Sequence, residues 1–359
     1  MTDAASETQG AEQPVIGVVG ADAPRHILLA SQTLPQRIVG SWQAEVSEES
    51  QELLGAADAV SMRVLDHLLS EEAAGLAGLV VCNDSMANLR LFYVARILAQ
   101  RGRLPFPVHL LDAPRGTAPH HTAFAAKQFA RLAAFAGAAG RPMDASSSLQ
   151  AAEEEHRLGE ALDRLRRRRL AGQCSGAQAL QAYRAAGRTA PAEGERLVDA
   201  ARSPERAPAR RVFITGSSHP DETLYQAVEA EGALIVGEDH DSGDAAWMGV
   251  AVFEEAPEDV FRGLAERHAM RPPLAARSLS GERAEHLARR VSDMRCDGVL
   301  ALVREHDDAP AWDLQPQSAA LRATSVPLAA RTRIRPHDGL SAAVSAVREL
   351  PEPGEAVTP

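Results

Sequence analysis

The chain has 359 residues, 45% of them hydrophobic, which is enough to bury the cores of two or three domains. Its 49 acidic against 38 basic side chains give a net charge of −11, which excludes general binding to nucleic acid or to anionic membrane. Three cysteines exclude a disulfide framework, and no apolar stretch approaches the ~18 residues of a membrane span, so the expectation is a globular cytoplasmic protein.

Residues 1–13 are polar and acidic and read as a disordered leader, without the apolar core of a signal peptide. Val15-Ile16-Gly17-Val18-Val19 then predicts a strand, residues 26–30 a helix, and Arg37-Ile38-Val39 a second short strand. A helical pattern over 57–69 leads to the apolar run 76–81, a longer helix over 84–100, and a strand at Val108-His109-Leu110-Leu111. Short apolar runs separated by helices predict a parallel sheet covered on both faces.

Residues 117–203 carry no strand pattern. Ala125, Phe129, Leu132 and Ala136 form one helical stripe and Leu158, Leu162 and Leu165 another, while Ser175 is placed to cap a third helix over 177–186. The basic run 164–169 ends the second of these helices and reads as a solvated face, with Glu160/Arg164 and Asp163/Arg167 as i,i+4 pairs. Pro204 and Pro208 mark a linker over 204–209.

The strand–helix alternation restarts at Arg211-Val212-Phe213-Ile214-Thr215. A helix over 221–231, a strand at 233–236, helices over 257–268 and 282–294, a strand at 298–303, a strand at 325–329 and a last helix near 341–350 follow. The runs Leu76-Ala77-Gly78-Leu79 and Cys296-Asp297-Gly298-Val299 look alike, which hints at a duplication. The predicted fold is α/β: two open parallel-sheet, flavodoxin- or Rossmann-like domains at 14–116 and 210–350, joined by a helical segment at 117–209, with a tail at 351–359.

Ligands of open α/β sheets bind beyond the carboxyl ends of the strands. Those ends carry Cys82-Asn83-Asp84-Ser85, Asp112-Ala113-Pro114-Arg115, Gly216-Ser217-Ser218-His219, Glu238-Asp239-His240-Asp241 and Arg304-Glu305-His306-Asp307-Asp308. Asp84 and Ser85 read equally as helix caps and as ligand contacts, and Ser217 as part of a turn or of an anion cradle. His219, His240 and His306 are open to acid–base, metal-binding or plain surface roles, and Trp312 to packing or substrate stacking. Gly17-Val18-Val19-Gly20 lacks the G-x-G-x-x-G pattern of a dinucleotide site.

The order of these motifs resembles the 2-hydroxyacyl-CoA dehydratase and benzoyl-CoA reductase family. The opening Leu28-Leu29-Ala30…Leu34-Pro35 is similar to that family's first segment, Cys82-Asn83-Asp84-Ser85…Leu89 to its "C-D-S-x-x-x-L", and Leu111-Asp112-Ala113-Pro114-Arg115 to its "D-x-P-R". Asp297-Gly298-Val299-Leu300 resembles "D-G-V-I", and residues 305–313 resemble a variant "E-H-D-E-A-P-S-W-D". The resemblance implies a heterodimer of related subunits that binds a CoA thioester and 4Fe-4S clusters. It also implies a separate ATP-dependent iron–sulfur activator that injects one electron.

Here the motif's cysteine aligns with Asn83, and Cys82 comes one residue early, while the later ligand loops offer Asp239, His240, Glu305 and His306. A cluster needs about three or four convergent thiolates. The expectation is therefore a degenerate family member, with Cys82 its doubtful cluster ligand, that pairs with a cluster-bearing paralogue and shapes an acyl-CoA cleft. His240, His306 and Glu305 are the expected catalytic residues, and Asp84, Ser85, Arg115, Ser217, His219 and Trp312 the expected substrate contacts. The alternatives are a stand-alone, cluster-free acyl-CoA lyase or hydrolase using histidine acid–base chemistry, with or without a metal on Asp239, His240 and His306, or a non-catalytic scaffold.

Overall fold

Eight strands among the described residues form two four-stranded sheets, and every neighbouring pair runs parallel. The computed structural model describes residues 13–42, 45–203, 210–249, 251–275 and 277–351. The predicted leader up to residue 12, the linker over 204–209 and the tail beyond Pro351 lie outside the described residues.

The first part of the chain runs β1 (Val15–Val19), α1 (Arg25–Ala30), β2 (Leu34–Arg37), α2 (Glu48–Leu54), α3 (Ala59–Leu69), β3 (Gly78–Cys82), α4 (Met86–Gln100) and β4 (Val108–Leu111). Four helices follow: α5 (Pro119–Ala139), α6 (Ala145–Leu170), α7 (Gly176–Arg188) and α8 (Pro191–Ala200). The second sheet is built from β5 (Arg210–Gly216), α9 (Thr223–Ala230), β6 (Ala233–Glu238), α10 (Pro257–Ala269), α11 (Ser280–Asp293), β7 (Gly298–Arg304), α12 (Asp308–Arg322), β8 (Leu328–Ile334) and α13 (Gly339–Glu349). The predicted α/β class with two parallel sheets is what the chain forms.

The strand orders are β2-β1-β3-β4 and β6-β5-β7-β8, the same plan twice, and the look-alike runs of the sequence start β3 and β7 at equivalent places. Each sheet reverses its winding between its first and third strands, at β1/β3 and at β5/β7.

Side chains alternate across each strand, which assigns the cores. Ile16, Val18, Val80 and Cys82 face α1, α5 and α10, where Phe129, Leu132 and Leu264 pack. Leu79 and Val81 face the other way, toward α3 and α4. In the second sheet Val212, Ile214, Leu300 and Leu302 meet α7, α9 and α13, while Phe213 and Val299 meet α11 and α12. Helices α6, α7 and α8 share a further core around Leu158, Leu162 and Leu165. Ser175 caps α7 through a reciprocal pair with Gln178, as its position predicts. No helix among the described residues is long and apolar enough to cross a membrane.

Two predicted strands move. The second is Leu34–Arg37, not 37–39, and the last is Leu328–Ile334, not 325–329. Both are edge strands, where an apolar run is not required and Pro35 is tolerated, so the pattern that marks central strands misplaces them. Helix α12 is absent from the sequence expectation because Pro310 and Pro316 interrupt its pattern. Its orientation also inverts the expected role of Trp312, which is 78% exposed, while Asp313 and Gln317 turn inward. Asp313 accepts from Arg283 Nε at 2.6 Å and Gln317 donates to Thr215 Oγ1 at 3.1 Å, so polar pairing shares the inner face with buried Pro310 and Leu321.

Candidate functional site

The carboxyl ends of both sheets open onto one cleft of about 330 Å³. Gly20 after β1, with φ of 96°, and Asn83, Asp84 and Ser85 after β3 form one wall. Gly216 and Ser218 after β5, Asp239 to Asp241 after β6, and Arg304, His306, Asp307 and Asp308 at the end of β7 form the other. Two ion pairs tie the walls together. Arg304 Nε and Nη2 donate to the two carboxylate oxygens of Asp58 at 2.9 and 3.0 Å, and Arg37 donates to the Asp241 carbonyl and, at 3.1 Å, to its carboxylate. Asp58 also caps α3 by accepting from the Val60 N–H at 3.1 Å.

Asp84 sits on the β1/β3 switch point. Its carboxylate accepts from the Ala21 N–H and from Asn88 Nδ2, each at 2.7 Å. Burial, with the Asp22 and Asp241 carboxylates nearby, outweighs these bonds and pushes the carboxyl from 3.8 to about 7. Asp22 goes the opposite way: burial opposes ionisation, but Arg115, His268 and Arg271 hold its carboxyl well below the ordinary carboxylate range. The folded chain therefore keeps a proton on Asp84 that the unfolded chain releases near pH 4, and stability is lost as pH rises from there through about 7. Asp84→Asn cannot ionise. Its stability relative to the native chain should rise by on the order of 2–4 kcal/mol between acid and neutral pH, read from urea unfolding; equal pH profiles would refute the assignment.

His240 lies in the opposite wall, 3% exposed. Its Nε2 shares a 2.7 Å hydrogen bond with Tyr225 Oη, and its Nδ1 has no partner among the described residues. Burial lowers its pKa to about 4 against the pull of Glu238 and Asp241, so the ring is neutral near pH 7. Beneath it, Glu238 pairs with Arg169 and accepts from the Asp244 N–H at 3.0 Å. The basic run is thus not a solvated face throughout. Arg168 and Arg169 are buried, and Arg164 reaches Asp199 on α8 through Nε at 3.0 Å and Nη2 at 2.6 Å, leaving the expected i,i+4 pairing aside.

Of the sequence-predicted residues, Asp84, Ser85, His240 and His306 come together in the cleft. Ser85 also caps α4, accepting from the Asn88 N–H at 3.1 Å. His306 adopts φ of 65°, a left-handed conformation that costs a non-glycine residue about 1–3 kcal/mol. Glu305 turns into a neighbouring recess beside Trp42 and Ile334. Arg115 pairs with Asp22 at 2.8 Å. Ser217 is buried and accepts from the Arg304 N–H at 2.9 Å. His219 is fully buried, stacked on Trp42 and edge-on to His240 with centroids 5.1 Å apart. Trp312 is outside the cleft lining, on the solvent side of α12. Sequence reasoning misses the roles of Asp58, Arg37 and Arg304; Asp58 and Arg304 meet across 246 residues, a pairing no local pattern announces.

A family model for the D-component of 2-hydroxyglutaryl-CoA dehydratase matches residues 23–329, from α1 into β8. The chain belongs to this D-component family. No curated relative matches the chain.

The thiols of this D-component family member do not fit a 4Fe-4S cluster. Cys82 lies in the core under α5, Cys174 among α6, α7 and α8, and Cys296 under α11 and α12. Burial raises the pKa of all three thiols, and their places in three separate cores keep them from converging as a cluster's ligands must. The one-residue offset of Cys82 has the effect that strand geometry predicts, since Asn83 lines the cleft and Cys82 does not. No group of three His, Cys, Asp or Glu side chains among the described residues is placed to hold a metal ion, so Asp239, His240 and His306 do not form a mononuclear site.

Proposed function

We propose that this chain is the cluster-free subunit of a 2-hydroxyacyl-CoA dehydratase-type complex, and that its cleft holds the acyl end of a CoA thioester beside a cluster-bearing paralogue. The observation that carries the reading is the family match across both sheets, combined with one cleft at both switch points and thiols in three separate cores.

In this reading the chain handles protons and position, and electron transfer belongs to the partner. Removing a hydroxyl and a neighbouring proton needs one group that gives a proton and one that takes it. Asp84, with its carboxyl near 7, exists in both forms at neutral pH, and neutral His240, braced by Tyr225, is a base. His306 shapes the β7 side of the same space.

Charge limits what enters. Six aspartates line the cleft against three arginines, and Arg37 and Arg304 are already committed to Asp241 and Asp58. The diphosphate of CoA would meet net negative charge inside, so the thioester end enters and the phosphates stay at the rim.

The test is iron and acid-labile sulfide after anaerobic purification, for the chain alone and with a cysteine-complete paralogue. The expected result is none in the chain alone and about four of each per cluster in the complex. A cluster on the isolated chain would overturn the reading, and turnover by the isolated, iron-free chain would replace it with the stand-alone lyase or hydrolase.

A further inference from the structure

Behind the cleft lies a second void of about 70 Å³. Gly20 and Arg37 border both spaces, so the smaller one, the annex, adjoins the larger. Its apolar walls are Leu28 of α1, Pro35 of β2, Leu162 of α6, and Trp247 and Met248 from the segment after β6. Two glycines shape its walls, Gly187 directly and Gly159 through Trp247. A Cβ on Gly159 would meet Cζ2 of Trp247 at 3.1 Å, so its absence lets the indole lie against α6. Gly187 on α7 faces Arg37, and a Cβ there would stand 3.5 Å from the Arg37 Cβ, in ordinary contact.

The polar groups at the annex are nearly balanced. Arg25 pairs with Glu155 at 3.2 Å and donates to the Thr189 carbonyl at 3.0 Å, and Arg37 pairs with Asp241. One nitrogen of each guanidinium, Arg25 Nη1 and Arg37 Nε, is nevertheless buried without a partner. An unmade hydrogen bond of this kind is unfavourable, and an acceptor oxygen on a ligand would relieve it.

We propose that the annex is a binding site for a short aliphatic chain of about three or four carbons, whose adjoining carboxylate or carbonyl oxygen accepts from Arg37 or Arg25. The proposal rests on the cleft being the ligand site and narrows the substrate class within it. Size excludes an aromatic ring, because an apolar cavity that takes benzene measures roughly 150 Å³, about twice this one. Charge excludes a dicarboxylate tail, because the unpartnered guanidinium nitrogens serve the one oxygen group at the head of the chain, and a second carboxylate at the far end would be desolvated among Leu28, Leu162 and Trp247. A simple alkyl side chain satisfies both limits.

The test measures the affinity of the full chain for sodium ethanoate, butanoate, octanoate, benzoate and glutarate by saturation-transfer NMR. Each buried methylene is worth about fourfold, so butanoate should bind about fifteenfold tighter than ethanoate, with the other three weaker than butanoate. Gly187→Leu fills the annex and should weaken butanoate at least about tenfold with the thermal melt unchanged. Gly187→Ala, whose methyl fits without a clash, should weaken it less and in the same direction, and serves if the leucine variant does not fold. Equal affinity across the series, or butanoate binding untouched in a folded Gly187 variant, overturns the proposal. Titration with free CoA separates the two readings. Butanoate binding without CoA binding keeps the annex and removes the acyl-CoA assignment, whereas CoA binding without a chain-length optimum removes the annex alone.

Discussion

Replacing Arg304 with methionine is expected to destabilise the fold by about 3–5 kcal/mol, the usual cost of breaking a buried ion pair from one side. The guanidinium is 8% exposed and Asp58 3%, so neither charge has water to fall back on. Arg304 donates to both oxygens of Asp58 and also to the carbonyl and hydroxyl of Ser218, joining the end of β7 to the start of α3 and to the loop after β5. Methionine keeps the length of the stem and removes all four hydrogen bonds, which leaves the Asp58 carboxylate with only its capping bonds to Val60 and Ser61. The measurement is urea unfolding of Arg304→Met, Asp58→Asn and the double variant. A buried bidentate pair gives a double variant much less damaged than the sum of the singles. Strict additivity would show that the bridge contributes nothing as a pair.

Acid should destabilise this protein well above the pH at which ordinary carboxylates titrate. His26, His240 and His268 are each held by burial near a pKa of about 4, below the ordinary 6.5. A histidine whose folded pKa is depressed favours the neutral ring in the fold. Its contribution is complete above 6.5 and is lost as pH falls toward the folded value, because the unfolded chain takes up the proton first. At about pH 5 each ring has forfeited about 2 kcal/mol, partly offset by Asp84, which is more favourable on the acid side. The net loss between about pH 7 and about pH 5 should be on the order of 4 kcal/mol. His268 offers the cleanest check: its Nε2 donates to the Ala113 carbonyl at 2.9 Å, a bond that glutamine can reproduce without titrating. His268→Gln should therefore flatten the acid limb by about 2 kcal/mol, and a limb parallel to that of the native chain would remove His268 from the account.

The central strands are legible because they are buried on both faces and must be apolar throughout; Gly78–Cys82 and Gly298–Arg304 are buried at every position. Edge strands and α12 escape for the converse reason, since they are held by backbone pairing and by polar contacts such as Asp313 with Arg283. The site divides in the same way. Topology alone puts the loops after β3, β6 and β7 at one cleft, which is how Asp84, His240 and His306 become candidates. It does not say which side chain of a loop turns outward. Glu305 and His306 are neighbours, yet Glu305 lines only the recess by Trp42 while His306 borders both that recess and the cleft, and His219 turns into the core between Trp42 and Tyr225.

Helix α10 gives the molecule an order of completion. Val260 and Leu264 belong to the same core as Ile16 and Val80, although β5 and β6 of the other sheet are synthesised in between. During translation the first sheet therefore waits, one covering helix short, until the chain has begun its second sheet and doubled back. The N-terminal lobe is not a module that can finish folding on the ribosome before the rest arrives. A gene fragment ending after α8 would carry a bare apolar seam along α5, the surface that α10 covers in the whole chain.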